Sequence, residues 1–157
     1  MAQEGMPPAK PCSHPAAAQF DFWLGTWEAV WGEDGHGRNV VAKILDGCVI
    51  QEHFTDEGPD GLVGLSHSTY VPLESCWKQT WVDNQGSYLD FKGGFEADRM
   101  ILSRQTTHEG KPIRQRMVWY DIAPETFEWS WERSGDDGVS WQVVWQIHYR
   151  RLSEPAA

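Results

Sequence analysis

No segment narrows the architecture of this chain more than Phe20-Asp-Phe-Trp-Leu-Gly-Thr-Trp27, an aromatic turn closed by a Gly-x-Trp triplet. It opens a series of short alternating segments that runs to Arg151. A closed antiparallel barrel needs a glycine where its first strand bends in under the floor, and a large flat side chain to plug that floor. Gly25 and Trp27 supply both. The segments that follow are separated by turn chemistry such as Gly32-Glu-Asp-Gly-His-Gly37, Asp56-Glu-Gly-Pro-Asp-Gly61, Asp83-Asn-Gln-Gly86 and Ser134-Gly-Asp-Asp-Gly138. These connections are too short for helical crossovers, so neighbours in sequence pair antiparallel. The spacing predicts an all-β, up-and-down barrel of about ten strands spanning residues 20–152, with one helical or 3₁₀ turn at Phe20–Leu24.

Residues 1–19, with Pro7, Pro8, Pro11 and Pro15, read as a disordered leader, and 153–157 as a tail. No apolar stretch is long enough for a signal-peptide core or a bilayer span, which points to the cytoplasm. A formal charge of −10 opposes phosphate backbones and anionic lipid heads, so neither nucleic acid nor membrane is an expected partner. Cys12, Cys48 and Cys76 are odd in number and lack CxxC spacing, a pattern that reads as reduced structural thiols and not as a disulfide framework or a zinc site.

Period-two parity assigns the interior. In the last strand Trp141, Val143, Trp145, Ile147 and Tyr149 share the apolar face. Phe127, Trp129 and Trp131 share one in the strand before it. Trp77, Gln79 and Trp81 lie opposite Lys78, and Ile50, Glu52 and Phe54 lie opposite Gln51 and His53. A closed barrel fills much of its lumen with side chains, but ten strands enclose more space than eight, so a residual cavity is expected. Its expected walls are Trp77, Trp81, Met117, Trp119, Trp129, Trp131 and Trp145, with Gln79 to orient a ligand.

Four residues are candidates for acid–base or charge-stabilising work. Glu52, flanked by Ile50 and Phe54, would sit in a desolvated wall where its pKa rises, unless a bulge exposes it or an interior arginine holds it. In Gly64-Leu-Ser-His-Ser-Thr-Tyr70 one parity turns His67 and Thr69 inward, and the other Ser66, Ser68 and Tyr70. Arg116 either partners Glu52 or a ligand carboxylate, or points outward with Arg114. No H-x-H or H-E-x-x-H spacing occurs, so no metal site is expected.

Gly25-Thr-Trp27 together with Tyr149-Arg-Arg151 resembles the signature of the calycin superfamily of lipocalins and fatty-acid-binding proteins. The resemblance implies that an arginine of the last strand packs across the first-strand tryptophan, a role carried to Arg151, with Arg150 as the alternative. Further segments, Leu45-Asp-Gly-Cys-Val-Ile-Gln-Glu52 and Gln79-Thr-Trp-Val-Asp83 among them, are similar to a bacterial lipocalin-like domain family of unknown function. More distantly the chain resembles the nitrobindins, which implies a haem held by one histidine, with His148 and His108 as the candidates. Otherwise no cofactor is expected. Ser134-Gly-Asp-Asp-Gly-Val-Ser-Trp141 resembles the Asp-box hairpin of sialidase propellers, but occurs once in a chain too short for a propeller.

Two functions follow as expectations. One is binding of a small hydrophobic or aromatic molecule by a monomer or homodimer. The other is a metal-free isomerase, cyclase or lyase in which Glu52 or His67 moves a proton while Tyr70, Gln79 or Arg116 stabilises charge.

Overall fold

A computed structural model describes residues 8–153. Ten antiparallel strands follow one another around a closed lipocalin-like barrel: β1 (Gly25–Trp31), β2 (Gly35–Ile44), β3 (Val49–Asp56), β4 (Val63–Val71), β5 (Cys76–Asp83), β6 (Tyr88–Glu96), β7 (Arg99–His108), β8 (Lys111–Tyr120), β9 (Thr126–Ser134) and β10 (Gln142–Arg151). Each strand pairs with its neighbours in sequence, and β1 pairs with β10 through Trp27–Arg151 to Val30–His148 to close the ring. Among the described residues no helix is long and apolar enough to cross a membrane.

The floor is aromatic. A short 3₁₀ turn, Asp21–Trp23, brings Phe20 and Trp23 under the barrel, where Phe20 stacks on Trp23 at 4.8 Å and meets Trp77 and Trp119 edge-on at 5.2 and 5.0 Å. Gly25 makes the bend with φ of 129°, and a Cβ there would lie 2.4 Å from Arg151 Nη1. Only a residue without a side chain admits both the angle and the guanidinium.

Residues 8–19 of the expected leader are among the described ones, whereas its residues 1–7 and residues 154–157 of the expected tail lie outside them. A 3₁₀ turn at Pro15–Ala18 precedes the floor, and Gln19 accepts a hydrogen bond from the Trp77 indole at 3.2 Å. Cys12 is joined to Cys48 by a disulfide, which leaves Cys76 as the free thiol. Number and spacing alone point to reduced thiols, but two cysteines 36 residues apart meet because the leader folds back over the β2–β3 connection. Spacing along the chain does not carry that long-range return.

The wall departs from a regular meander twice. In β10 the register shifts between Val143 and Trp145, so the parity read back from Tyr149 fails before Trp145. Val143 is exposed, and Trp141 packs outside against Arg116. Between β6 and β7 the ladder runs only from Glu96–Arg99 to Lys92–Ser103, and the two strands are unpaired beyond it.

Candidate functional site

The upper half of the barrel holds a cavity of about 210 Å³. Five tryptophans line it: Trp81 from β5, Trp119 from β8, Trp129 and Trp131 from β9, and Trp145 from β10. Met117 joins them, so six of the seven expected walls are present. Edge-to-face contacts lock the rings, with Trp129 and Phe54 at 5.6 and 5.9 Å from Trp145, and Phe91 at 5.8 Å from Trp131. Rings held by one another before a ligand arrives do not have to be ordered by it.

Glu52 is on the inward row of β3, buried, and part of the cavity wall. Register explains its partners. Ser66 lies directly across the β3–β4 ladder and donates from Oγ to Oε1 at 2.8 Å. Asn39, on the inward row of β2, donates from Nδ2 to Oε2 at 2.8 Å. Burial pushes the Glu52 pKa from 4.5 to about 7, and the two hydrogen bonds offset only part of that rise. The carboxyl therefore exists in both protonation states near neutrality. Tyr149 of β10 also lines the cavity, and its phenol is raised well above 10 by burial and then by the Glu52 charge, so it stays a hydroxyl.

Asp83 and Leu62 border the mouth. Asp83 accepts from the Trp81 indole at 2.9 Å and from the amides of Gln85 and Ser87. Burial acts to raise its pKa, but these bonds outweigh it and hold the carboxylate below the ordinary range.

The remaining sequence candidates are elsewhere. His67 faces outward, exposed, beside Gln51 at 3.0 Å, so β4 takes the parity that turns Ser66, Ser68 and Tyr70 inward. Tyr70 is at the floor, 5.0 Å from the His14 ring and 5.8 Å from Trp77. Trp77 belongs to that floor and not to the cavity wall, because it sits at the floor end of β5. Arg116 points outward, pairs with Glu132 at 2.7 Å and lies over the Trp141 ring at 4.0 Å, so it is not the partner of Glu52.

Gln79 is buried and inward but donates to Ser68 at 2.9 Å, and it borders a second recess of about 590 Å³. That recess lies where β6 and β7 stop pairing, and Phe91 divides it from the tryptophan-lined cavity. Arg104 borders the recess and donates to Gln115 at 2.6 Å.

Among the described residues no histidine lines the cavity. His148 faces outward to Glu128 and His108 is at the exposed β7–β8 turn, so neither fits the role of axial haem ligand in this lumen. Among the described residues no group of three or more His, Cys, Asp or Glu side chains is placed to hold a metal ion.

Asn39, Tyr149, Phe54, Leu89, Phe91, Ile147, Asp83 and Leu62 complete the site and are not among the sequence candidates for it. Tyr149 and Phe54 are on the inward rows, whereas Asn39 carries no period-two signal, since Val40, Val41 and Ala42 follow it without alternation. No protein-family model matches the chain, and no curated protein matches it.

Proposed function

We propose that this barrel binds a small, flat, apolar or aromatic molecule in the Glu52 cavity. The observation that carries the reading is a cavity of about 210 Å³ lined by five tryptophans and by the buried, hydrogen-bonded carboxyl of Glu52. A dry apolar cavity of about 150 Å³ accepts benzene, so this one suits a substituted single ring. Titration with nitrobenzene, a single-ring quencher of indole emission, followed by tryptophan fluorescence corrected for its absorbance, tests it. Saturable quenching that is lost in Trp129→Ala supports the reading, and linear, non-saturating quenching removes it.

One observation favours catalysis as a second reading. Glu52, with a pKa of about 7, can both give and take a proton at neutral pH beside the Tyr149 hydroxyl. A metal-free isomerase or lyase would then rest on Glu52, since His67 is outside the lumen. Recovery of the bound molecule chemically unchanged after prolonged incubation decides for binding. Arg151 over Trp27 supports placing the chain with the bacterial lipocalin-like family of the calycin superfamily. The Cys12–Cys48 disulfide favours an oxidising compartment over the cytoplasm suggested by composition.

A further inference from the structure

The cavity lining contains two carboxyl groups, Glu52 and Asp83, and no lysine, arginine or histidine. Glu52 is the unusual one. Both its oxygens accept hydrogen bonds, yet Asn39 and Ser66 are neutral, and among the described residues no cationic side chain forms an ion pair with it. Buried carboxylates are normally paired with a cation, because hydrogen bonds alone leave most of the desolvation cost uncompensated. Here the space in front of the carboxyl is open cavity, enclosed by aromatic rings whose faces carry negative quadrupole charge.

Resting on the reading that this cavity is a binding site, we infer that its ligand is an organic cation, an amine or quaternary ammonium on a small apolar or aromatic body. The nitrogen lodges between Glu52 and the tryptophan faces, and serves as the missing counter-ion. Tyr149 faces the same space from β10 as a neutral hydroxyl and can accept from a protonated amine. Asp83 adds a second negative charge at the mouth, and a chain of net charge −10 concentrates cations around it. Arg104, midway along β7, and Arg133, near the end of β9, share inward parity, but neither lines this cavity.

A cation that cannot titrate separates charge from shape. Phenyltrimethylammonium and tert-butylbenzene have nearly the same form and differ by one positive charge. The cation requires ionised Glu52, so its affinity rises by about tenfold per pH unit up to about pH 7 and then levels off. At pH 8 it binds at least about tenfold tighter than the hydrocarbon. Glu52→Gln removes both the pH dependence and the preference for the cation over the hydrocarbon. If that variant fails to fold, the wild-type pH profile of the two probes decides alone. Equal or tighter binding of tert-butylbenzene at pH 8, or a pH-independent affinity for the cation, overturns the inference while leaving the cavity a binding site. If neither probe binds, the binding reading fails together with it.

Discussion

The guanidinium of Arg151 lies 4.2 Å over the ring of Trp27, joining the last strand to the first at the barrel floor. Its Nη1 donates to the Leu24 carbonyl at 2.7 Å and its Nε to the Pro124 carbonyl at 2.9 Å, so one side chain ties three segments. Replacing it with alanine removes a cation–π contact and leaves carbonyl groups without their donor. Arg151→Ala is expected to lower stability by about 2–4 kcal/mol. Arg151→Lys should recover little of it, since an ammonium cannot serve both carbonyls while stacking on the indole. A shift of the urea midpoint with unchanged slope measures both.

Glu52 makes stability fall as pH rises. The folded carboxyl holds its proton up to about pH 7, whereas the unfolded chain gives it up near 4.5. Its contribution is therefore complete below pH 4.5, declines through the interval, and is gone above about 7. The loss amounts to about 3 kcal/mol. Asp136 has the opposite sign in a different range. Hydrogen bonds from the Ser140 hydroxyl and amide hold its pKa down to about 2, so its contribution is present above 3.8 and disappears only toward pH 2. Urea titrations at pH 5 and pH 8 should show wild type losing stability across this interval, and Glu52→Gln losing markedly less.

How much of this was legible in the sequence depends on the distance over which each signal acts. The parity that placed Glu52 between Ile50 and Phe54 is local, and the strand obeys it. The same rule gave Trp129, Trp131 and Trp145, but it failed at Trp141, because the shift between Val143 and Trp145 inserts a residue without any glycine or proline to announce it. Parity also cannot tell height along the barrel axis, which is why Trp77 was expected in the wall and belongs to the floor. Asn39 and Ser66 meet Glu52 through register between neighbouring strands, which is set by loop geometry across the whole meander. The Cys12–Cys48 contact needs the leader to fold back, and no pattern within the leader encodes that return.

The disulfide makes its own prediction. Closing a loop with a sequence separation of 36 restricts the unfolded chain by about 3–4 kcal/mol. Cys12→Ser combined with Cys48→Ser should lower stability by about 2–4 kcal/mol, and reduction of the wild type should match it. The bridge lies at the floor end of β3, whereas the cavity opens at the end bordered by Asp83 and Leu62. Ligand affinity measured on the folded fraction should therefore be unchanged. A loss of binding equal to the loss of stability would place the leader in the site.

Gly64 and Trp81 give the sharpest test of the cavity mouth. A Cβ on Gly64 would lie 2.1 Å from Trp81 Cζ2 and 2.2 Å from Cη2, so the indole rests where any side chain on Gly64 would be. Gly64→Ala must displace the ring, and with it the 2.9 Å hydrogen bond from its Nε1 to Asp83. Overpacking of this kind costs about 1–3 kcal/mol. Because Trp81 lines the cavity, the same substitution should weaken ligand binding several-fold, which a general loss of stability would not do while the protein remains folded. Gly94→Ala is the matched control, since a Cβ there meets nothing within 4 Å. If both variants bind the fluorescence probe as wild type does, Trp81 is not part of the binding surface and the cavity must be entered and filled from below it.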